Sequence, residues 1–274
     1  MSLTSFLKIR DVKLRFLTEF PKEHTTLRGE ILAPVMTVNP SRIGTAFDYL
    51  MRFYLEWLNP NCHTNPWVAE TSLSLLDEDP SLLKKATEIV TNAKSAYLDY
   101  KQSGKMTDEV LKSTLLLAQV DLIYRAGIIE PDLGQSRSED VLDLRNLIGV
   151  VNPGLFKAQR LCVLNPTFGE ASGLVGGADA DFLLDDVLVE IKTTKNLRFD
   201  RDYFNQLVGY YILSRIGGTI GTVANAKIAR LGVYYSRHGL LHTFDVGFIE
   251  NHPGLEQFIE WFEERAREEF PSPW

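Results

Sequence analysis

Residues Gly176–Lys195 read GGADADFLLDDVLVEIKTTK, which sets acids and a lysine inside strand-forming sequence. Two apolar runs, ADFLL and VLVEIK, flank Asp185-Asp186 in the pattern of a β-hairpin. Side chains alternate faces along a strand, so Glu190 and Lys192 share one face, as do Asp179 and Asp181 on the preceding run. Antiparallel pairing about the turn brings Asp181 within reach of Glu190. Two converging carboxylates repel unless one is protonated or a cation bridges them. A hard divalent ion with oxygen ligands, Mg²⁺ or Mn²⁺, is the simplest bridge. Lys192 could then hold a water or a phosphate oxygen while the metal lowers that water's pKa. The competing reading is a salt-bridged, solvated sheet face.

The elements that must position these residues can be read outward from the hairpin. An amphipathic helix follows at about 201–216, closed by Gly217-Gly218, and puts Gln206 and Tyr210 on one face at i, i+4 spacing. A strand pair is expected at IARLGVYYS and LLHTFDVGF, then a last helix, LEQFIEWFEERAREE. Upstream, LCVLNPTFG suggests a strand, and Gly173–Gly177 a glycine-rich approach to the hairpin. Asn39-Pro40-Ser41 starts a helix running from about Ile43 to Trp57, which Asn59-Pro60-Asn61 stops. Residues 66–150 read as mostly helical, with helices ending near Ser103-Gly104 and Gly127 and a third at SEDVLDLRNLIGVV. This block shows no chemistry of its own and is expected to be an insertion or lobe within a single domain over 1–274. The first thirty-odd residues look irregular or β-containing. The order of elements predicts an α/β fold around a small mixed sheet flanked by helices.

The pattern G-x-x-D, hairpin, Glu190-Ile191-Lys192-Thr193, then a helix with Gln206-x-x-x-Tyr210, resembles the PD-(D/E)XK nuclease superfamily, particularly its RecB-like branch. The resemblance covers Gly44–Tyr54 and about Gly176–Ser236. It implies a restriction-endonuclease-like core in which Asp181, Glu190 and the Ile191 carbonyl hold Mg²⁺ or Mn²⁺. Lys192 would position the nucleophilic water, and Gln206 and Tyr210 would steady the site or the nucleic-acid backbone. Counting from Gly176 makes Asp179 the first acid, whereas counting back from Glu190 favours Asp181, with Asp179 as substitute or auxiliary ligand. RecB-like nucleases often carry G-x-x-x-H on the first helix; here Gly44 is followed by Asp48, an acid that could serve a hard cation or simply sit on the helix surface. The implied activity is phosphodiester hydrolysis in DNA more than RNA, by an exonuclease or single-strand nuclease. The rivals are a catalytically inactive nucleic-acid-binding or assembly protein and a hydrolase of small phosphoesters.

Composition narrows the field further. The chain is 45% hydrophobic and 24% charged, with no apolar run near the roughly 18–20 residues that span a bilayer. The first residues lack the unbroken apolar core of a signal peptide. Two cysteines, Cys62 and Cys162, rule out a disulfide framework or a four-cysteine metal site from this chain alone; they read as isolated reduced thiols in a cytoplasmic protein. Net charge is −7, yet Lys192–Arg237 holds eight Lys/Arg against two acids, a local +6 that leaves −13 elsewhere. Such asymmetry suits a polyanion groove, with Lys195, Arg198, Arg201 and Arg237 as its nucleic-acid contacts, or is a chance run. Tyr234 and Tyr235 could stack on bases but read equally as core. His238 and His242 lack the glutamate of H-E-x-x-H, Gly217–Gly221 lacks the Lys-Ser/Thr of a phosphate loop, and no G-x-S-x-G is present. Asp121 and Arg125 read as a surface ion pair.

Overall fold

Capping chemistry delimits the long helices much as the sequence predicts. The computed structural model describes residues 2–221 and 227–271. After α1 (Leu3–Phe6) and α2 (Arg10–Glu19), α3 (Pro40–Leu58) starts where the Asn39 side chain accepts from the Arg42 amide. A short α4 (Val68–Leu73) precedes α5 (Pro80–Ser103), capped by Asp79 and ended by left-handed Gly104. Next come α6 (Asp108–Ala126), capped by Thr107 and ended by left-handed Gly127, and α7 (Ser138–Gly149). In α3, α5 and α6 a side-chain oxygen or a glycine satisfies main-chain groups that the helix cannot pair itself. The predicted helical block over 66–150 is therefore present.

The irregular entry segment expected at the N-terminus is found over residues 20–39, but not before them. Residues 10–19 form α2 rather than a strand or irregular segment. The run VKLRFL fits a two-residue alternation, but Val12, Phe16 and Phe20 are wholly buried while Leu14 and Leu17 stay about half exposed. That is helical spacing. Burying three such side chains, at roughly 1.5–3 kcal/mol each, selects the helix. Phe16 and Phe20 pack edge-on against Phe258 at 5.1 and 4.8 Å between ring centres.

The sheet has six strands among the described residues, in the spatial order of the sequence. They are β1 (His63–Thr64), β2 (Cys162–Leu164), β3 (Phe182–Leu184), β4 (Val187–Lys192), β5 (Arg230–Tyr235) and β6 (Leu240–Asp245). β1–β2 and β4–β5 pair parallel, and the other neighbours antiparallel. The glycine-rich approach to β3 holds a short helix, α8 (Glu170–Leu174). The crossover from β4 to β5 carries α9 (Arg201–Gly217), and α10 (Gly247–Glu250) and α11 (Leu255–Glu269) follow the last strand. Alternation along β4 sends Val187, Val189 and Ile191 into the apolar cluster shared with α3–α7. Leu188 enters the opposite cluster, with α1, α2, α9 and α11. The fold is an α/β arrangement of one mixed sheet with helices on both faces.

Two sequence expectations fail against this frame. Cys62 and Cys162 are disulfide-bonded, not isolated thiols, because they lie side by side where β1 and β2 begin their parallel pairing. A contact across 100 positions leaves no local signal, and paired cysteines lend no support to a reducing compartment. Among the described residues no helix is long and apolar enough to cross a membrane. Arg237 is also not a nucleic-acid contact. It is 1% exposed, paired with wholly buried Asp143 at 2.7 Å, and donates to the Ala33 and Pro34 carbonyls at 3.2 Å. Asp143 in turn accepts from the Met36 and Thr37 amides at 3.1 Å. This pair fastens the irregular segment before α3 between α7 and the β5–β6 connection. Arg237→Ala would strand a buried carboxylate and should cost about 3–5 kcal/mol in denaturant unfolding. Stability within about 0.5 kcal/mol of wild type, the usual effect of a surface substitution, would refute that role.

Candidate active site

The hairpin turn is held from both sides. Asp185 adopts a left-handed φ of 52°, and its carboxylate accepts from the Gln159, Arg160 and Leu161 amides at 2.7–3.2 Å. Partial burial opposes its charge, but those three amides outweigh burial and hold the carboxyl below its usual range. Asp186 accepts from Arg230 at 2.8 Å on the β5 side. The resulting register pairs Phe182 with Val189, and one further step sets Asp181 opposite Glu190. Asp181 lies one residue before β3, and its Oδ2 accepts from the Ile191 amide.

α9 covers the charged face of β4. Asp200 caps it by accepting from the Tyr203 amide at 3.0 Å, which sets the phase that turns Gln206 and Tyr210 towards Glu190. Gln206 Nε2 donates to Glu190 Oε1 at 2.9 Å, and Tyr210 OH donates to Oε2 at 3.2 Å. Lys192 Nζ donates to Glu190 Oε1 at 2.7 Å and to Gln206 Oε1 at 3.0 Å. These four side chains form one closed set of contacts. The solvated sheet face that competed with this reading is absent, since Glu190 and Gln206 are 9% and 6% exposed.

A cavity of about 310 Å³ opens on this cluster, lined among others by Asp48, Asp179, Asp181, Glu190, Gln206 and Tyr210. Burial, then the charges of Glu190 and Asp48, push the Asp181 carboxyl well above its ordinary range. Burial, then Glu190, likewise raises the Tyr210 phenol. Burial works against the Lys192 charge, but the Glu190 carboxylate and its hydrogen bond outweigh it and raise the ammonium's pKa. The same contacts hold Lys192 Nζ as a donor to Glu190 and Gln206.

Asp48 projects from α3 with Oδ2 bound by Arg52 at 2.6 Å, while its buried Oδ1 has no hydrogen-bond partner. Asp179 is more exposed and lies 3.8 Å from Arg125. The geometry thus separates the two acids: Asp181 faces Glu190, and Asp179 stands by Arg125. Among the described residues no three His, Cys, Asp or Glu side chains make a ready metal cage. What the cavity offers a hard cation is oxygen: the opposed Asp181 and Glu190, the unpartnered Asp48 oxygen, and Ile191 on the same wall. Glu190 already engages both its oxygens, so a metal there would have to share or displace those contacts. The donor types fit Mg²⁺ or Mn²⁺ in kind.

Other expected contacts are not in the site. Arg201 gives its guanidinium to the Phe16 and Phe20 carbonyls at the end of α2, which makes it a structural clamp rather than a nucleic-acid contact. Tyr234 and Tyr235 are wholly buried. Of the cationic stretch, Arg215, Lys227 and Arg230 pair with Glu256, Glu250 and Asp186. Lys195 and Arg198 remain exposed and make no salt bridge among the described residues. Most cations of the +6 stretch therefore have partners within the chain, three of them in surface ion pairs. The expected Asp121–Arg125 ion pair is present at 2.6 Å, but only its arginine is exposed: Asp121 is 1% exposed, and Arg125 lines the cavity. An acid inside the apolar run of α6 was the available signal. Comparison with protein-family models, curated proteins and solved structures found no match.

The raised Asp181 carboxyl links stability to pH. The folded state holds that proton more tightly than the unfolded chain, so this contribution is complete below the ordinary aspartate range. It is lost as pH rises towards and through the raised folded value. Asp181→Asn keeps an acceptor for the Ile191 amide and cannot ionise. In EDTA at pH 8 it should stabilise the protein by on the order of 1 kcal/mol, about 2–4 °C in melting temperature for a chain this size. The gain should shrink towards pH 4. An unchanged or lower melting temperature at pH 8 would show that the carboxylate is under no such stress.

Proposed function

We propose that the chain is a divalent-metal-dependent nuclease hydrolysing phosphodiester bonds in DNA, as an exonuclease or single-strand nuclease on a restriction-endonuclease-like core. The observation that carries this reading is the convergence of Asp181, Glu190, Gln206 and Tyr210 on one cavity, with Lys192 bonded to both Glu190 and Gln206. The element order supports it: a leading helix, three consecutively antiparallel strands, a helical crossover and a strand parallel to β4.

Asp181 and Glu190, with the Ile191 carbonyl, would hold Mg²⁺ or Mn²⁺, and Asp48 would add its open oxygen. When bound, the ion lowers the pKa of a water and neutralises charge on the phosphate. The chain's own residues do the rest. Lys192 stays protonated and can donate to a water or a phosphate oxygen, placing charge where the pentavalent phosphorus builds it. Gln206 bridges Lys192 and Glu190 and fixes both side chains. Tyr210 keeps its proton and holds the second Glu190 oxygen. Lys195 and Arg198 are the cations left to meet the backbone beyond the cavity.

One observation favours a second reading, binding without turnover: Lys192 is already closed onto Glu190. Cleavage assays separate the two. Labelled single- and double-stranded DNA, RNA and a small phosphodiester should be incubated with Mg²⁺, Mn²⁺ or EDTA. DNA should be cut only with metal, and Lys192→Ala should lose at least about a hundredfold in rate, as removal of one transition-state donor does elsewhere. Equal turnover by wild type and Lys192→Ala on every substrate, or cleavage that survives EDTA, would overturn the assignment. Binding without cleavage would favour the second reading.

A further inference from the structure

A second cavity, of about 670 Å³, adjoins the first and shares Arg125, Ala178 and Asp179 with it. Its wall also includes Arg52, Asn65, Tyr124 and Asn165. Arg125 is built into place. Its Nε donates to buried Asp121 at 2.6 Å, Asp121 accepts from Tyr49 OH at 2.9 Å, and that hydroxyl accepts from the Ala69 amide at 3.0 Å. This chain of bonds anchors the guanidinium by one nitrogen and leaves its fork towards the cavities, 3.8 Å from Asp179. A planar fork so placed matches two oxygens of a phosphate.

Two further donors at this wall lack partners. Arg52, 3% exposed, gives Nη2 to Asp48 but has no partner for Nε. Asn165, 7% exposed, has none for Nδ2. Buried donors are seldom left unpaired, so a ligand bearing acceptors suits this recess. Asn165 also holds a left-handed φ of 48°, its amide donates to the Asp181 carbonyl at 2.9 Å, and its carbonyl accepts from Asn65 at 2.7 Å. The recess is thereby tied to the candidate metal-binding strand. At the rim Tyr124 is 51% exposed and has no ring partner among the described residues.

We propose that this recess is a nucleotide subsite in which Arg125 binds a backbone phosphate of single-stranded nucleic acid beside the scissile one, and Tyr124 stacks on the adjoining base. The inference rests on the phosphodiesterase reading of Asp181, Glu190 and Lys192. The cavity lies within the size range of small-ligand pockets, and a splayed base offers Tyr124 a face that a paired and stacked one does not.

Fluorescence anisotropy with a short labelled single-stranded DNA and its abasic counterpart, in Ca²⁺ and in EDTA, tests this alongside the cleavage assay. Arg125→Ala alone would leave Asp121 buried and unpaired, so the double variant Asp121→Asn/Arg125→Gln is used, with melting curves to check folding. Tyr124→Ser, at an exposed position, is the second probe. Tyr124→Ser should weaken the normal strand about tenfold and leave the abasic one unchanged. The double variant should weaken both by about tenfold and reduce the salt dependence by about one phosphate contact. If wild type binds DNA and both variants match its affinity within about twofold, the subsite is overturned; the nuclease reading stands beside that result where wild type also cuts. If wild type neither binds nor cuts any nucleic acid, the nuclease reading fails and the subsite falls with it.

Discussion

A slip of one residue between β3 and β4 would send Asp181 to the face opposite Glu190 and leave no paired carboxylates anywhere on the sheet. The candidate site therefore depends on the register of one short hairpin, whose β3 strand is three residues long. So short a ladder does not fix its own register. The turn does, because Asp185 is bound to three amides on the β2 side and Asp186 to Arg230 on the β5 side. The hairpin is clamped between its neighbours before its own strands contribute much. Charge in the turn is what makes the buried charge next to it possible.

That buried charge is balanced only in part. Asp181, Glu190 and Asp48 line one cavity, and among the described residues only two of them have a cation paired to them, Lys192 on Glu190 and Arg52 on Asp48. Asp181 gains only a main-chain amide, which is why its proton is held so tightly. An apolar replacement at this position would be cheaper for folding. Perturbed carboxylates of this kind cluster in catalytic clefts.

Much of this was legible locally. Asn39, Asp79 and Thr107 announce α3, α5 and α6 through their side-chain oxygens, and Gly104 and Gly127 end two of them by their left-handed backbones. The hairpin and the Gln206/Tyr210 spacing of α9 are equally local. What sequence could not convey is which charges face inward. Arg237 looks like any surface cation until Asp143, far away on α7, is brought against it. Arg201 reads as part of a basic face, yet it closes the end of α2. The disulfide depends on two strand starts meeting across the chain. Local charge density overstated the basic groove for this reason: counting cations ignores the partners that tertiary structure assigns them.

The helical block stands in a closer relation to the chemistry than its composition suggests. α3 packs in one apolar cluster with α5, α6 and α7 and with the inner faces of β2–β5, so it belongs to both layers at once. Asp48 and Arg52 lie one turn apart on it, and Tyr49 between them reaches Asp121 of α6. Through that contact the position of Arg125 is set by the same helix that delivers Asp48. A shift of α6 relative to the sheet would move the arginine and spare the carboxylates, whereas a shift of α3 would move both. The substrate contact proposed for Arg125 and the metal contact proposed for Asp48 would thus be mechanically joined, and the helical block that looked inert in sequence supplies one wall of the cavity.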